Sequence, residues 1–127
     1  MQHWTITREA GGLARLTFDK AGATTNTLSA AVLTELNQAL DELDRDPPKG
    51  LIIASGKANG FIAGADIDEF GEIATEEGAV ALVKRGWDAF ERLAAVRYPT
   101  LALVRGFCLG GGMELALGVA GGLITGW

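Results

Sequence analysis

Arg105-Gly106-Phe107-Cys108-Leu109-Gly110-Gly111-Gly112-Met113-Glu114-Leu115 reads as the end of a strand, a sharp glycine turn and the first turn of a helix that carries a carboxylate. Three consecutive glycines let a ligand oxygen approach bare backbone N–H groups with no Cβ in the way. Those groups also belong to a helix N-terminus, where unpaired donors and the helix dipole favour negative charge. Glu114 follows Gly111 by three residues, so both face one side of the first turn, with a proton-transfer group beside the anion site. The pairing points to chemistry on a carbonyl compound. A glycine triplet also occurs where a helix packs closely on a strand, and the motif's shape alone does not decide between these readings. A nucleotide-phosphate loop fits less well, because no Gly-Lys-Ser or Gly-Lys-Thr closes the turn and the glycines do not follow a G-x-G-x-x-G spacing. No G-x-S-x-G elbow is present either.

Upstream, Thr100-Leu101-Ala102-Leu103-Val104-Arg105 predicts a buried strand that delivers the chain to this turn. Before it, Glu76 and Glu77 open a long helix in which Val80, Val83, Trp87, Phe90 and Leu93 form an apolar stripe, ending near Arg97 ahead of Pro99. The stripe is assigned to the core. Gly50-Leu51-Ile52-Ile53-Ala54-Ser55 predicts another strand, buried on both faces. It runs into Gly56-Lys57-Ala58-Asn59-Gly60-Phe61-Ile62-Ala63-Gly64-Ala65-Asp66-Ile67-Asp68-Glu69-Phe70, a loop at a strand's C-terminal end, where open α/β sheets place their ligands. Small residues at Ala63, Gly64 and Ala65 would expose backbone N–H groups and make a second anion donor. The plainer reading is a βα connection in which Asp66 caps a short helix.

Further back, Leu28, Val32, Leu33, Leu36, Leu40 and Leu43 recur at helical spacing behind Ser29 as N-cap, and Asp46-Pro47-Pro48 stops the helix near Arg45. The alternation of His3–Arg8 and of Leu13–Phe18 about Gly11-Gly12 predicts a β-hairpin. His3, the only histidine, has no Cys or second His near it in sequence, so it is read as an edge-strand side chain and not a metal ligand. Strand, helix, strand, helix, strand, helix is the pattern of a parallel sheet with right-handed crossovers, with both small-residue loops at strand C-termini facing one crevice.

Composition bounds the function. A chain of 127 residues with 48% hydrophobic content suits one domain with a real core. The net charge of −5 and the lack of a Lys/Arg cluster argue against a nucleic-acid surface. A single cysteine and no signal-like N-terminus predict a reducing, cytoplasmic setting. Cys108 has no adjacent base and is read as a small buried turn residue. From Gly106 to Trp127 the only formal charge is Glu114, and the run has about the length of a bilayer-spanning helix. Its glycine content and the carboxylate near mid-span favour a buried strand-turn-helix, with no membrane span.

Phe61-Ile62-Ala63-Gly64-Ala65-Asp66-Ile67 after one strand and Gly106-Phe107-Cys108-Leu109-Gly110-Gly111-Gly112-Met113-Glu114-Leu115-Ala116 after the next together resemble the enoyl-CoA hydratase/isomerase (crotonase) family. The opening strands, Asn26-Thr27-Leu28-Ser29 ahead of the first helix and the spacing of the two loops fit as well, so the likeness runs to Leu117. Within the family the Phe61–Phe70 stretch looks most like the N-terminal hydratase/isomerase part of a bacterial fatty-acid oxidation complex α subunit. The resemblance implies an α/β crotonase-like (ClpP/crotonase) spiral of ββα units, of which residues 1–127 form the N-terminal portion only, with 1–117 family-like and 118–127 a divergent tail. That tail does not look like the usual continuation of the glycine-led helix into a next strand.

What the resemblance implies about chemistry is specific. The N–H groups of Ala65 and Gly111 would hold the thioester oxygen of an acyl-CoA, and Glu114 would be the first of two glutamates that position water and exchange protons. Ala63, Gly64, Ala65, Asp66, Ile67, Asp68, Gly110 and Gly111 would line the substrate site. Coenzyme A enters as part of the substrate, with no metal, nicotinamide or other cofactor. The partners implied are an acyl-CoA thioester and, at full family length, further copies in a homotrimer or larger assembly, or a thiolase subunit. The second glutamate is absent up to Trp127, so the alternative is a truncated, catalytically inactive chain acting at most as a CoA-thioester-binding or assembly module.

Overall fold

In a computed structural model, which describes residues 1–64, 66, 69, 75–104, 106–108 and 123–125, the chain builds a mixed sheet with two helices and a small second sheet. The elements are β1 (Trp4–Arg8), β2 (Leu13–Phe18), α1 (Ala30–Arg45), β3 (Gly50–Ser55), β4 (Gly60–Ile62), α2 (Glu76–Ala94), β5 (Thr100–Val104), β6 (Phe107–Cys108) and β7 (Leu123–Thr125). The main sheet has the order β1-β2-β3-β5-β7. β1 and β2 form the expected antiparallel hairpin, Trp4 opposite Phe18, with a short 3-10 turn over Ala10–Gly12 between them. β2, β3, β5 and β7 are mutually parallel along that order.

The core forms where the hairpin meets α1. Trp4 stacks on Phe18 with ring centroids 4.4 Å apart, and its indole Nε1–H donates to Val32 O of α1 at 3.0 Å, so the polar edge of a fully buried ring is satisfied. Ser29 caps α1, its hydroxyl accepting from Val32 N at 3.2 Å, and Val32, Leu33, Leu36, Ala39, Leu40 and Leu43 are the buried face that the spacing predicts. The helix stops at Arg45, where Asp46 leaves helical geometry before Pro47-Pro48.

α2 departs from expectation in two ways. It begins as predicted, with Thr75 as N-cap to Gly78 N and Glu76 and Glu77 in its first turn, but it ends at Ala94 and not near Arg97. Tyr98 is drawn into the core just before Pro99, and burying it takes residues 96–98 off the helix axis. The second departure concerns the apolar stripe. Val80, Val83 and Trp87 are about 60% exposed (61%, 60% and 58%) and are not core. The buried face is Ala89 and Leu93, supported by half-buried Leu82 and Phe90. Small residues decide which face turns inward: a Cβ added at Gly86 would lie 3.7 Å from Leu33 Cδ1, so Gly86 and Ala89 let α2 approach α1 closely, and Arg92 reaches across to Asn37, Asp41 and Asp44. The outer residues instead line an open apolar groove of about 420 Å³ with Ala79, Lys84 and Asp88.

The tail contains one described element. Leu123–Thr125 form β7, in register with Ala102–Val104 of β5, so the chain does return to the sheet there. Gly121-Gly122 ahead of Leu-Ile-Thr carries the turn-then-β-branched signal of a strand. The glycine-led helix expected after Gly110 lies outside the described residues. Among the described residues no helix is long and apolar enough to cross a membrane.

The two faces of α2 should separate by mutation. Leu93→Ala is expected to lose about 2–5 kcal/mol of stability in chemical denaturation, whereas Trp87→Ser should stay within about 0.5 kcal/mol of the parent. Equal losses at both positions would contradict the inward face assigned here.

Candidate active site

The two loops singled out in the sequence leave neighbouring strands. β4 pairs with β6 in parallel, Gly60 opposite Phe107 and Ile62 opposite Cys108, with a bulge between the two pairs because β4 takes one residue more than β6. Both chains therefore leave this small sheet in the same direction. Ala65 and Gly111 each lie three residues beyond the last paired position, Ile62 and Cys108 respectively. Sequence reading had not separated these strands from their loops, since runs of three and two residues carry no readable period.

Close backbone approach makes the pairing. Gly106 forms an isolated antiparallel bridge with Gly60 and has φ +64. A Cβ there would stand 2.8 Å from Gly60 Cα and closer still to Asn59 O, so a side chain is excluded by contact as well as by conformation.

The first loop is held from behind by the segment that precedes α1. Ala63 N donates to Asn26 O at 2.8 Å, Leu28 N donates to Gly64 O at 2.8 Å, and Asp66 N donates to Leu28 O at 2.9 Å. The amide of Ala63, expected to be open, is thus committed to Asn26. Gly64 is buried with φ +105, a conformation that lets the chain turn between these bonds. The Asp66 carboxylate is bound at both oxygens: Oδ2 accepts from Lys20 Nζ at 2.7 Å, and Oδ1 accepts from Glu69 N at 3.2 Å, the cap geometry of the plainer reading. Glu69 in turn accepts from Ala30 N at the start of α1 at 2.8 Å. Ala65, Ile67, Asp68, Gly110, Gly111 and Glu114 lie outside the described residues.

Sequence reading passed over the residues that hold this region together. Asn26, 1% exposed, donates from Nδ2 to Phe18 O (2.9 Å), Ser55 Oγ (3.0 Å) and Phe61 O (3.0 Å), while its Oδ1 accepts from Lys20 N (2.9 Å). It joins the ends of β2, β3 and β4. Lys57 does the same for the loop after β2, donating to Lys20 O (2.8 Å) and Ala23 O (2.6 Å) and pairing with Asp19 (2.6 Å). An asparagine inside an otherwise polar loop carries no mark in one sequence; only its burial reveals it. Cys108 is half-buried, and burial pushes its thiol above the ordinary value, which leaves it a poor nucleophile. Among the described residues no group of three or more His, Cys, Asp or Glu is placed to hold a metal ion.

Comparison with known proteins follows the same geometry. The sequence profile of the enoyl-CoA hydratase/isomerase family matches residues 8–120. The fatty acid oxidation complex subunit alpha of Shewanella oneidensis is 43% identical over 115 residues, and that of Shewanella amazonensis 42%, each match covering 90% of this chain and 16% of the relative. Among solved structures, an enoyl-CoA hydratase from Bacillus anthracis superposes with a TM-score of 0.89 at 25% identity, over 98% of this chain and 47% of that one. An enoyl-CoA hydratase/carnitine racemase from Magnetospirillum magneticum gives 0.84 at 29% identity, over 94% and 45%. The chain thus has the crotonase-like fold and spans less than half the length of each of these proteins.

Two measurements test the geometry. Gly106→Ala should cost at least about 1–2 kcal/mol from its left-handed conformation alone and more from the clash with Asn59 and Gly60, whereas Gly11→Ala, also at positive φ but facing open space, should show only the conformational part. Cys108 should react with iodoacetamide more slowly at neutral pH than an unfolded cysteine peptide and gain rate only above the ordinary thiol range, because its neutral form persists to higher pH. A rate equal to the peptide's would mean that the thiol is not desolvated.

Proposed function

Because the chain belongs to the enoyl-CoA hydratase/isomerase family, we propose that it binds a 2-enoyl-CoA thioester at the mouth of the β4–β6 pair and stabilises the enolate that forms when water adds. The parallel pairing of β4 with β6 is the observation that carries this reading, because it starts both small-residue loops from one edge with the same three-residue offset to Ala65 and Gly111. In the proposed site the N–H groups of these two residues share the thioester oxygen. Gly64 O is taken by Leu28 N, so the described part of the first loop is held from the side of the 26–28 segment. Ala63 and Asp66 are engaged through their own amides, and in this reading they border the substrate channel with Gly64, Ile67, Asp68 and Gly110.

The chemistry follows from where charge develops. As the water oxygen bonds to C3, the electrons of the 2,3-double bond move into the thioester and its oxygen becomes anionic. The enolate then takes a proton at C2 as the carbonyl re-forms. Each well-aimed donor to that oxygen is worth roughly 2.7–4 kcal/mol of barrier. Glu114 is assigned to water positioning and proton exchange, and its partner carboxylate to sequence beyond Trp127. Coenzyme A is part of the substrate and no further cofactor is invoked. The proposal extends to a cytoplasmic setting in fatty acid β-oxidation, as a homotrimer or larger assembly or in complex with a thiolase subunit at full family length.

Crotonyl-CoA hydration, followed by loss of the enoyl thioester absorbance, tests the reading in this chain and in one continued to full family length. The longer protein is expected to turn over, this chain to bind the thioester with hydration slower by about a hundred- to ten-thousandfold, and Glu114→Gln to abolish what remains. A folded long form that neither binds nor hydrates the thioester would sink the proposal, and residual turnover unaffected by Glu114→Gln would remove Glu114 from it.

A further inference from the structure

Asn26 is a buried polar side chain with four side-chain hydrogen bonds that no step of the proposed chemistry uses. Its amide hydrogens are shared among three acceptors, its Oδ1 holds Lys20 N, and its main-chain carbonyl holds Ala63 N, two residues before the proposed donor at Ala65. It therefore grips the first loop twice: through Phe61 O within β4 and through Ala63 N just beyond β4. The other ends of its bonds are Phe18 at the end of β2 and Ser55 at the end of β3, both positions in the rigid central sheet. A side chain locked at four points cannot rotate to follow a drifting loop, so the loop is referenced to the sheet and not to solvent.

On these bonds, and resting on the thioester reading above, we infer that Asn26 is a positioning residue for the thioester-oxygen site, acting by fixing Phe61 and Ala63, the described backbone that leads to the proposed donor. Its loss leaves a binding surface but mis-aims a donor, so it acts on the charge of the carbonyl oxygen more than on the grip for the ligand. A misplacement of about 1 Å at such a donor costs on the order of a hundredfold in rate. Lys20 supports the same loop from its other side by pairing with Asp66 and donating to Thr27 Oγ1.

The test uses the 127-residue chain with a cinnamoyl-type CoA thioester, whose absorption moves to longer wavelength when its carbonyl oxygen accepts hydrogen bonds. Asn26→Asp keeps the volume and removes the donors. Ser55→Ala, at a half-buried position, removes one of the three acceptors and serves if Asn26→Asp does not fold. In variants whose near-ultraviolet circular dichroism matches the parent, the expected result is a dissociation constant within about threefold, a red shift cut by about half or more, and a kcat lowered about tenfold or more with KM little changed. A full red shift in a folded variant with only a lower melting temperature would make Asn26 a structural residue and overturn the inference. No shift in the parent chain would instead overturn the thioester reading, and this inference with it.

Discussion

The site depends on one contact between two stretches of bare backbone, Gly106 against Asn59 and Gly60. Any side chain at Gly106 would hold the strands apart and β6 could not lie beside β4. Parallel strands cannot be joined by a tight turn, so between β4 and β6 the chain travels out through α2 and back along β5. The juxtaposition of the loops is thus a product of the whole crossover. The closeness of α2 to α1, the burial of Tyr98 and the register of β5 on β3 all feed into where Gly106 arrives.

A second constraint is electrostatic. The chain carries a net charge of −5, yet among the described residues the carboxylates around the first loop are engaged. Asp66 is paired with Lys20, Asp19 with Lys57, and Glu69 accepts from the N-terminal amide of α1. Each pairing removes a like charge that would oppose an enolate oxygen, and each also fixes a loop. Lys57 shows the double use plainly: its ammonium neutralises Asp19 and caps two main-chain carbonyls that no strand could satisfy.

The parts of the fold legible in the sequence are those with long periods and strong boundary residues. α1 declares itself through its leucines, Ser29 and the prolines after Arg45, and the hairpin through alternation about Gly11-Gly12. The start of α2 was readable but its inward face was not, because it carries two apolar stripes and the choice between them rests on Gly86 and Ala89, residues with little hydrophobic weight. β4, β6 and β7, of three, two and three residues, were too short to read. For the site, glycine and alanine runs drew attention to both loops, but the Ala63 amide expected to be open is committed to Asn26 and Gly64 is buried. Which amides are spent and which are spare depends on Asn26 and Leu28, thirty-five or more positions earlier than Ala63 and Asp66, and no local pattern contains that.

A site built from main-chain donors has a consequence for how it can respond to its surroundings. Peptide N–H groups do not ionise in the accessible range, so on the proposed reading the grip on the thioester oxygen is the same at every pH at which the fold persists. Cys108, the titratable side chain on β6 beside the loop, is held neutral by burial and adds no charge there. What remains to make the chemistry pH-sensitive is the proton-transfer group itself. On the proposed reading two tasks are separate: amides of fixed polarity stabilise the developing charge, and carboxylate chemistry, assigned to Glu114, moves the protons. Such a division would make alignment of the amides, and not their strength, the quantity that the surrounding fold has to protect, which fits the hydrogen bonding invested at Ala63, Gly64 and Asp66.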